Sequence, residues 1–403
     1  MHRIRAAAVA VSLATLGLAS GCGDLLTETP PVGDDFESPF EGLPQELNAM
    51  FAEGDANFDR VFTVDEGLGP ILNQPACGSC HPGDGRGTPE EALVRFSRGA
   101  DVVLGEGGPQ LQDKAIPGVT AETLPLGVDT SVRLPPPVFG VGLIESIPAE
   151  SILARADPGD ADGDGISGRP NLVYAASYVP EEMVGGGVGI LLGRFGRKAS
   201  VTSLLQQVVA AYHQDMGITT DFLPVENPHP QAGGVALGDR AADPEIPASE
   251  VLETMVYIRL LAPPARGAIT PRVLQGEALF EQLRCSGCHV PSLRTGPNAV
   301  APLDRVSVTI YSDLLLHDMG PGLADNRPDG DATGTEWRTA PLWGTRLVRQ
   351  FLGGRAFFLH DGRATTLDEA IRLHGGEAEA PRDGYVELDS AGRDALIAFL
   401  ESL

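Results

Sequence analysis

Basic residues are scarce in this chain. Twenty-nine Lys and Arg stand against 55 Asp and Glu in 403 residues, for a formal charge of −26 at pH 7. That sign excludes a nucleic-acid partner and leaves a solvated acidic surface or a basic protein partner, solvation being the simpler reading. Aromatic residues make up only 5% of the chain, whereas glycine (50) and proline (33) are abundant. The pattern is that of a loop-rich protein whose own aromatics do not fill its core. Beyond the first 21 residues no apolar run is long enough to cross a bilayer. Histidine is absent between His81 and His213. Cysteine occurs five times, and four of the five fall into two short motifs.

Those motifs are Cys77-Gly78-Ser79-Cys80-His81 and Cys285-Ser286-Gly287-Cys288-His289. Each reads Cys-x-x-Cys-His, the attachment signature of a c-type haem. Two cysteines three apart on one turn can each add to a vinyl group of one porphyrin, and the adjacent histidine becomes the proximal iron ligand. A zinc site needs a second pair of ligands at short range, which neither motif has. A thioredoxin-like pair does not require the histidine. The reading is therefore two covalently bound haem c groups, on Cys77 and Cys80 and on Cys285 and Cys288, with His81 and His289 on the irons. Such cofactors would supply the core that the aromatics do not.

The front of the chain reads as an export signal. Arg3 and Arg5 precede the apolar run Ala6 to Leu18, and residues 1–21 form the expected signal peptide. Leu18-Ala19-Ser20-Gly21-Cys22 resembles a lipoprotein cleavage site with Cys22 lipidated, which explains the fifth cysteine. Ordinary secretion is the alternative. Residues 22–43, with Pro30, Pro31 and Pro39, form the expected tether. The expected location is the periplasm or outer membrane of a Gram-negative bacterium, with the lipid anchor as the sole membrane attachment.

An N-terminal haem domain is expected over 44–264. The histidine gap means that a second histidine for the first iron must come from far away. Gln110, Gln112, Asp113 and Glu145 are candidates for a polar distal wall, with Gln110, Gln112 and Glu145 as the candidate catalytic residues; ordinary loop and surface roles are the competing reading. Asp160, Asp162 and Asp164 alternate as in the opening of a calcium loop, although position twelve is Asn171 rather than glutamate, so calcium competes with a plain acidic turn. Gly185 to Gly187 marks a hinge or close-packing point. Ser203 to Gln214 carries Leu204, Leu205, Val208, Val209 and Tyr212 at helical spacing, with His213 beside the stripe in a surface or capping role.

A C-terminal cytochrome c domain is expected over 265–403, after the breaker-rich Ala262 to Gly267. Thr270 reads as an N-cap with Pro271 at the first helical position. Val273, Gly276, Phe280 and Leu283 share a face, as do Leu396, Phe399, Leu400 and Leu403, so these helices are expected to cross. Leu367, Ala370, Ile371 and His374 fall at i, i+3, i+4 and i+7, which puts His374 on a buried stripe. His374 is the favoured sixth ligand of the second iron; His317 and Met319 compete. His360 suits a turn or propionate network.

Taken with the two haem motifs, Trp337 to Gly344, His360-Asp361-Gly362-Arg363, Thr366-Leu367-x-Glu369-Ala370 and the closing Phe399-Leu400-x-Ser402-Leu403 resemble the bacterial di-haem cytochrome c peroxidase superfamily. Tyr311 to Gly320 and Leu192 to Ala199 are similar to its di-haem oxidoreductase branch, whose members also carry thiol oxidoreductase or peroxidase labels. The resemblance implies a mainly α fold with two cytochrome c-like haem domains and long loops, the first domain enlarged by insertions. In the peroxidases the second haem's sixth ligand is a methionine after the His-Asp-Gly motif, and a related tryptophan-cofactor-maturing enzyme has tyrosine there; His374 matches that position. The superfamily also places a tryptophan between the haems. Here the only tryptophans are Trp337 and Trp343, both in the second half, and Arg197 stands where the branch's tryptophan is expected. No cysteine is left over for thiol chemistry.

The resulting expectation is an exported di-haem oxidoreductase of peroxidase type. The His81 haem is the reactive site for hydrogen peroxide, the bis-histidine His289/His374 haem relays electrons, and a small redox protein exchanges them. Its rival is an electron-transfer cytochrome with both irons six-coordinate, the first closed by His213, His317 or Met216. A haem-based sensor or assembly factor is a third reading.

Overall fold

The computed structural model describes residues 33–185, 189–234 and 238–403. The expected signal peptide, Cys22, and Gly186 and Gly187 of the glycine triplet lie outside the described residues. Helix is the main regular structure. Among the described residues, the helices of seven residues or more are α1 (Gln45–Asp59), α2 (Leu204–Ala211), α3 (Ala248–Leu260), α4 (Pro271–Gln282), α5 (Leu367–Leu373), α6 (Glu379–Glu387) and α7 (Ser390–Leu400). The β structure among the described residues is five two-stranded antiparallel ribbons. In one of them Leu316–Asp318 pairs with Glu336–Arg338, and Trp337 faces His317.

Local sequence sets the helix ends. Ser203 caps α2 by accepting from Gln206 N, Thr270 caps α4 by accepting from Val273 N, and Thr366 caps α5 by accepting from Glu369 N. Pro271 follows its cap at the first helical position, as expected. After Ala211 the chain widens into a π-turn over Tyr212–Met216. Extra turns of this kind re-aim side chains that a regular helix would point elsewhere.

Helices α4 and α7 cross as the sequence predicts. At Gly276 the backbones meet so closely that an added Cβ would lie 2.0 Å from the carbonyl oxygen of Ala395. Val273, Phe280, Tyr385, Leu396, Phe399 and Leu403 bury together there. A larger core joins Phe58, Leu204, Val208, Tyr257 and Ile258 of the first half with Leu293, Ile310, Leu315, Trp343 and Leu347 of the second. The main core therefore runs across residue 264 rather than stopping there.

Candidate functional site

The two Cys-x-x-Cys-His motifs open onto two separate cavities. The first, about 1380 Å³ with its open mouth included, takes Cys77, Cys80 and His81 into its wall. The second, about 1740 Å³ on the same measure, takes Cys285, Cys288 and His289. Cys77–Cys80 forms a single helical turn, and Cys285–Gly287 a tighter one, so in each motif both sulfurs and the histidine come from one turn. None of the four motif cysteines is in a disulfide. Burial pushes Cys77, Cys80 and Cys285 up to about 12, which keeps them protonated and inert as nucleophiles in their own right. Burial likewise pushes His81 and His289 down to about 4, so both rings are neutral and fit to ligate a metal.

The second cavity holds three more histidines, and their hydrogen bonds sort them. His289 Nδ1 is tied to Tyr311 O at 2.9 Å and His374 Nδ1 to Ala370 O at 2.7 Å. In both rings a backbone carbonyl fixes the tautomer and leaves Nε2 as the metal-facing nitrogen, the usual support for a ligating histidine. His317 is different. Its Nε2 lies 2.8 Å from Asp313 Oδ2 and its Nδ1 2.8 Å from Glu377 Oε2. Burial opposes its charge, but its bonds to Asp313, Cys288 and Glu377 outweigh burial and hold it protonated well above the usual histidine range. With both nitrogens engaged it has no lone pair for iron. His360 stacks on Trp337 with ring centroids 3.5 Å apart. Met319 also reaches the cavity wall. Helix α5 ends at Leu373, so His374 is its C-cap in extended backbone rather than its last stripe residue.

Among the described residues the wall of the first cavity has a single histidine, His81, and a single carboxylate, Asp215. Asp215 sits in the π-turn after α2, and Gln110 Nε2 donates to its Oδ1 at 2.6 Å. Burial raises Asp215 to about 6, against the pull of Gln110 and Arg95. Met216 beside it is 2% exposed and also faces the cavity. Sequence reading singled out Met216 and missed Asp215, because nothing in the pattern Tyr-His-Gln-Asp-Met marks which side chain a π-turn will aim inward.

The expected distal residues sit elsewhere. Gln110 stands behind Asp215 and donates also to Asn73 Oδ1. Gln112 Nε2 donates to Gln214 O, and Asp113 accepts from Asn73. Glu145 accepts from Leu204 N at 3.0 Å and from Arg259 Nε at 2.7 Å, so it caps α2 and pairs with α3. None of Gln110, Gln112 and Glu145 belongs to the cavity wall. His213 bonds Val225 O, away from both cavities.

Oxygens of Asp157, Asp160 and Asp162 lie within 4.8 Å of one another on the acidic loop. Asp164 turns instead to Arg284. Asn171, at the twelfth position, is buried and holds Lys198 O and Asp329 O. The expected calcium loop therefore does not close on Asn171.

Five bulky side chains, Arg86, Phe139, Arg197, Arg338 and Trp343, take part in both cavity walls. Trp343 stands between the motifs although it comes from the second half, which corrects the expectation that the chain lacks a tryptophan there. Gly140, at φ 71°, leaves the space its ring needs: a Cβ would lie 2.6 Å from Cζ2. Trp337 takes part only in the second wall, with its Nε1 donating to Leu323 O.

Both cavities fit a haem: each is largely apolar, each carries one complete attachment motif, and the guanidinium groups between them lack carboxylate partners. No curated protein matches the chain in sequence. Among solved structures the chain is similar to the hydrazine synthase of Kuenenia stuttgartiensis pressurized with 20 bar xenon. That pair shares 14% identity over 98% of this chain and 100% of the other, with a TM-score of 0.40. It is also similar to a MauG-like protein associated with microbial copper homeostasis, at 15% identity over 94% of each chain and a TM-score of 0.38. A family model described as "Di-haem oxidoreductase, putative peroxidase" matches residues 111–403, a span that includes the second motif and begins after the first. With most of its length inside that match, the chain belongs to the di-haem oxidoreductase family, and its role is a redox one that rests on haem.

Proposed function

We propose that the protein is an exported peroxidase-type enzyme whose reactive iron sits on His81 and whose electron-relay iron sits on His289 and His374. One observation carries the division of labour. The second cavity offers two neutral histidines with matching carbonyl anchors, whereas the wall of the first offers one histidine and one carboxylate. Cys77 and Cys80, and Cys285 and Cys288, would hold the two haems through thioether bonds. Bound there, haem supplies one-electron redox chemistry and, where a coordination position is open, a place for peroxide.

The protein's own contribution at the first site is proton handling. Peroxide needs two electrons and two protons to become two waters, and cleavage of its O–O bond needs a group that takes a proton from one oxygen and gives it to the other. Asp215 is the residue we assign to that task. Its carboxyl lies in the cavity wall, Gln110 orients it, and burial brings its pKa to about 6, close to neutral pH. The electrons would come from a small redox protein. Export, a lipid anchor on Cys22 and a periplasmic or outer-membrane location complete the proposal; no helix among the described residues is long and apolar enough to cross a membrane.

A second reading follows from Met216. Buried and facing the first cavity, its thioether would close the first iron and make the protein an electron-transfer cytochrome. Electron paramagnetic resonance of the oxidised and half-reduced protein separates the two. A high-spin ferric signal that disappears on peroxide addition supports the enzyme. Two low-spin signals indifferent to peroxide in both redox states reject it, and a switch to high spin in Met216→Leu alone would name Met216 as the blocking ligand.

A further inference from the structure

Arg86, Arg197 and Arg338 form a shared wall between the two cavities, and their electrostatics are unusual for so acidic a chain. None of the three is paired with a carboxylate among the described residues. Their neighbours are: Lys198 bonds Asp325 at 2.8 Å, Arg133 bonds Asp329 at 2.7 Å, and Arg327 reaches Asp329 at 3.2 Å. The three instead lean on backbone carbonyls. Arg86 Nη1 donates to Phe357 O at 2.6 Å, Arg197 Nε and Nη2 both to Leu134 O, and Arg338 Nε to Gly196 O at 3.1 Å. Those bonds fix each guanidinium while leaving donors unused. Nε of Arg86 and Nη1 of Arg338 are withdrawn from solvent with no partner at all.

A buried cation without a counter-charge is costly, and proteins rarely keep one unless an anion arrives to meet it. A guanidinium presents a planar fork of donors that matches a carboxylate, and it stays charged where a lysine would lose its proton. Burial bears on these three accordingly: it lowers Arg86 and Arg338 to about 10 and Arg197 well below the usual arginine range, with Arg86 and Arg338 themselves pushing Arg197 further down. Among the described residues no carboxylate comes within ion-pair distance of the three, Asp361 and Asp313 acting on Arg197 and Arg338 only from further away, so an anion shared by both cavities and brought in with the cofactor fits them. Haem brings two propionates per ring.

We propose that Arg86, Arg197 and Arg338 form one cationic bridge that receives the propionate carboxylates of both haems, so that the two irons are tuned together by a single set of charges. This rests on the di-haem reading but not on peroxidase activity. Arg197 is the central member, since it faces both cavities and both of its arginine neighbours act on it.

The test uses the holoprotein with both haems attached. Midpoint potentials are measured by spectroelectrochemistry, and propionate bending modes by resonance Raman, in wild type, Arg197→Gln and Arg197→Lys. Removing a positive charge from beside both rings favours both ferric states, so Arg197→Gln is expected to lower both midpoints and shift the propionate modes. Arg197→Lys loses the fork and holds its charge only while the pH is low enough to keep a buried lysine protonated, so at low pH it is expected to shift the modes while moving the midpoints less, and at high pH to follow Arg197→Gln. A shift in one midpoint only, or in neither, with both haems present, overturns the bridge. So does a shift of the midpoints with unchanged propionate modes. If Arg197→Gln fails to fold, Arg338→Gln and Arg338→Lys are read in the same way. A protein that carries fewer than two haems would refute the di-haem reading itself, an outcome that the haem content reports separately.

Discussion

Asp215 is where the proposed chemistry is most exposed to test. It is the carboxylate of the first cavity wall, and its pKa is raised from 3.8 to about 6, chiefly by burial. As a proton acceptor it works only when ionised. The reaction with peroxide should therefore fall as pH drops through about 6, and Asp215→Asn should remove that limb. Loss of a positioned acid–base group costs about 10²- to 10⁴-fold in rate, measurable by stopped-flow peroxide reduction. Gln110→Ala should move the limb without abolishing the reaction, because Gln110 touches Asp215 and not the cavity. At the second site, His374→Ala should convert a low-spin iron to high spin and leave the first iron's signal in place. The attachment motifs and His374 were legible in the sequence because fixed spacing or helical phase marks them. Asp215, Arg86 and Arg338 were not, since each becomes functional only through a turn or a neighbour far away in the chain.

At the scale of elements, two contacts hold the frame and carry opposite expectations for activity. Where α4 meets α7, Gly276 has no room for a side chain, with Ala395 O 2.0 Å and Phe399 Cβ 2.7 Å from an added Cβ. Gly276→Ala must push the helices apart beside the second motif. Overpacking of this kind costs about 1–3 kcal/mol, to be read as a lower Tm together with a disturbed second-haem spectrum. Glu145 holds α2 and α3 together through Leu204 N and Arg259. Loss of a helix cap costs about 0.5–2 kcal/mol, so Glu145→Ala should lower the Tm while the pH limb near 6 survives. A distal catalytic role for Glu145 would predict the reverse. The α4–α7 crossing could be read in advance because a glycine and a phenylalanine four apart, facing a closing apolar stripe, specify a close approach. The role of Glu145 could not, since a cap supplied by a residue 59 positions away leaves no local pattern.

For the whole molecule, the decisive feature is how firmly the two halves interlock. The main core mixes residues from both sides of 264, and polar ties cross the same line. Arg169 bonds Glu336 at 2.8 Å. Glu377 accepts from Ser167 Oγ at 2.5 Å and meets His317, which also bonds Asp313. This last cluster gives a test that depends on pH. Burial pushes Glu377 up, but its bonds to His317 and Ser167 win and hold it down to about 2. Its stabilisation is complete above its ordinary value of 4.5 and fades as pH falls from there towards 2. His317 is shifted the other way, well above 6.5, so its stabilisation is complete below 6.5 and fades as pH rises through its folded value. The cluster is therefore fully effective between 4.5 and 6.5. Replacing His317 by alanine leaves two carboxylates facing each other without their cation, and breaking one partner out of a buried charge cluster costs about 3–5 kcal/mol. Chemical denaturation of wild type and His317→Ala across pH should show the largest gap inside that window and a narrowing on both sides. A gap independent of pH would mean that His317 acts by packing alone. Because Glu377 also anchors Ser167, the variant should loosen the acidic loop and the second cavity together, in one unfolding step rather than two.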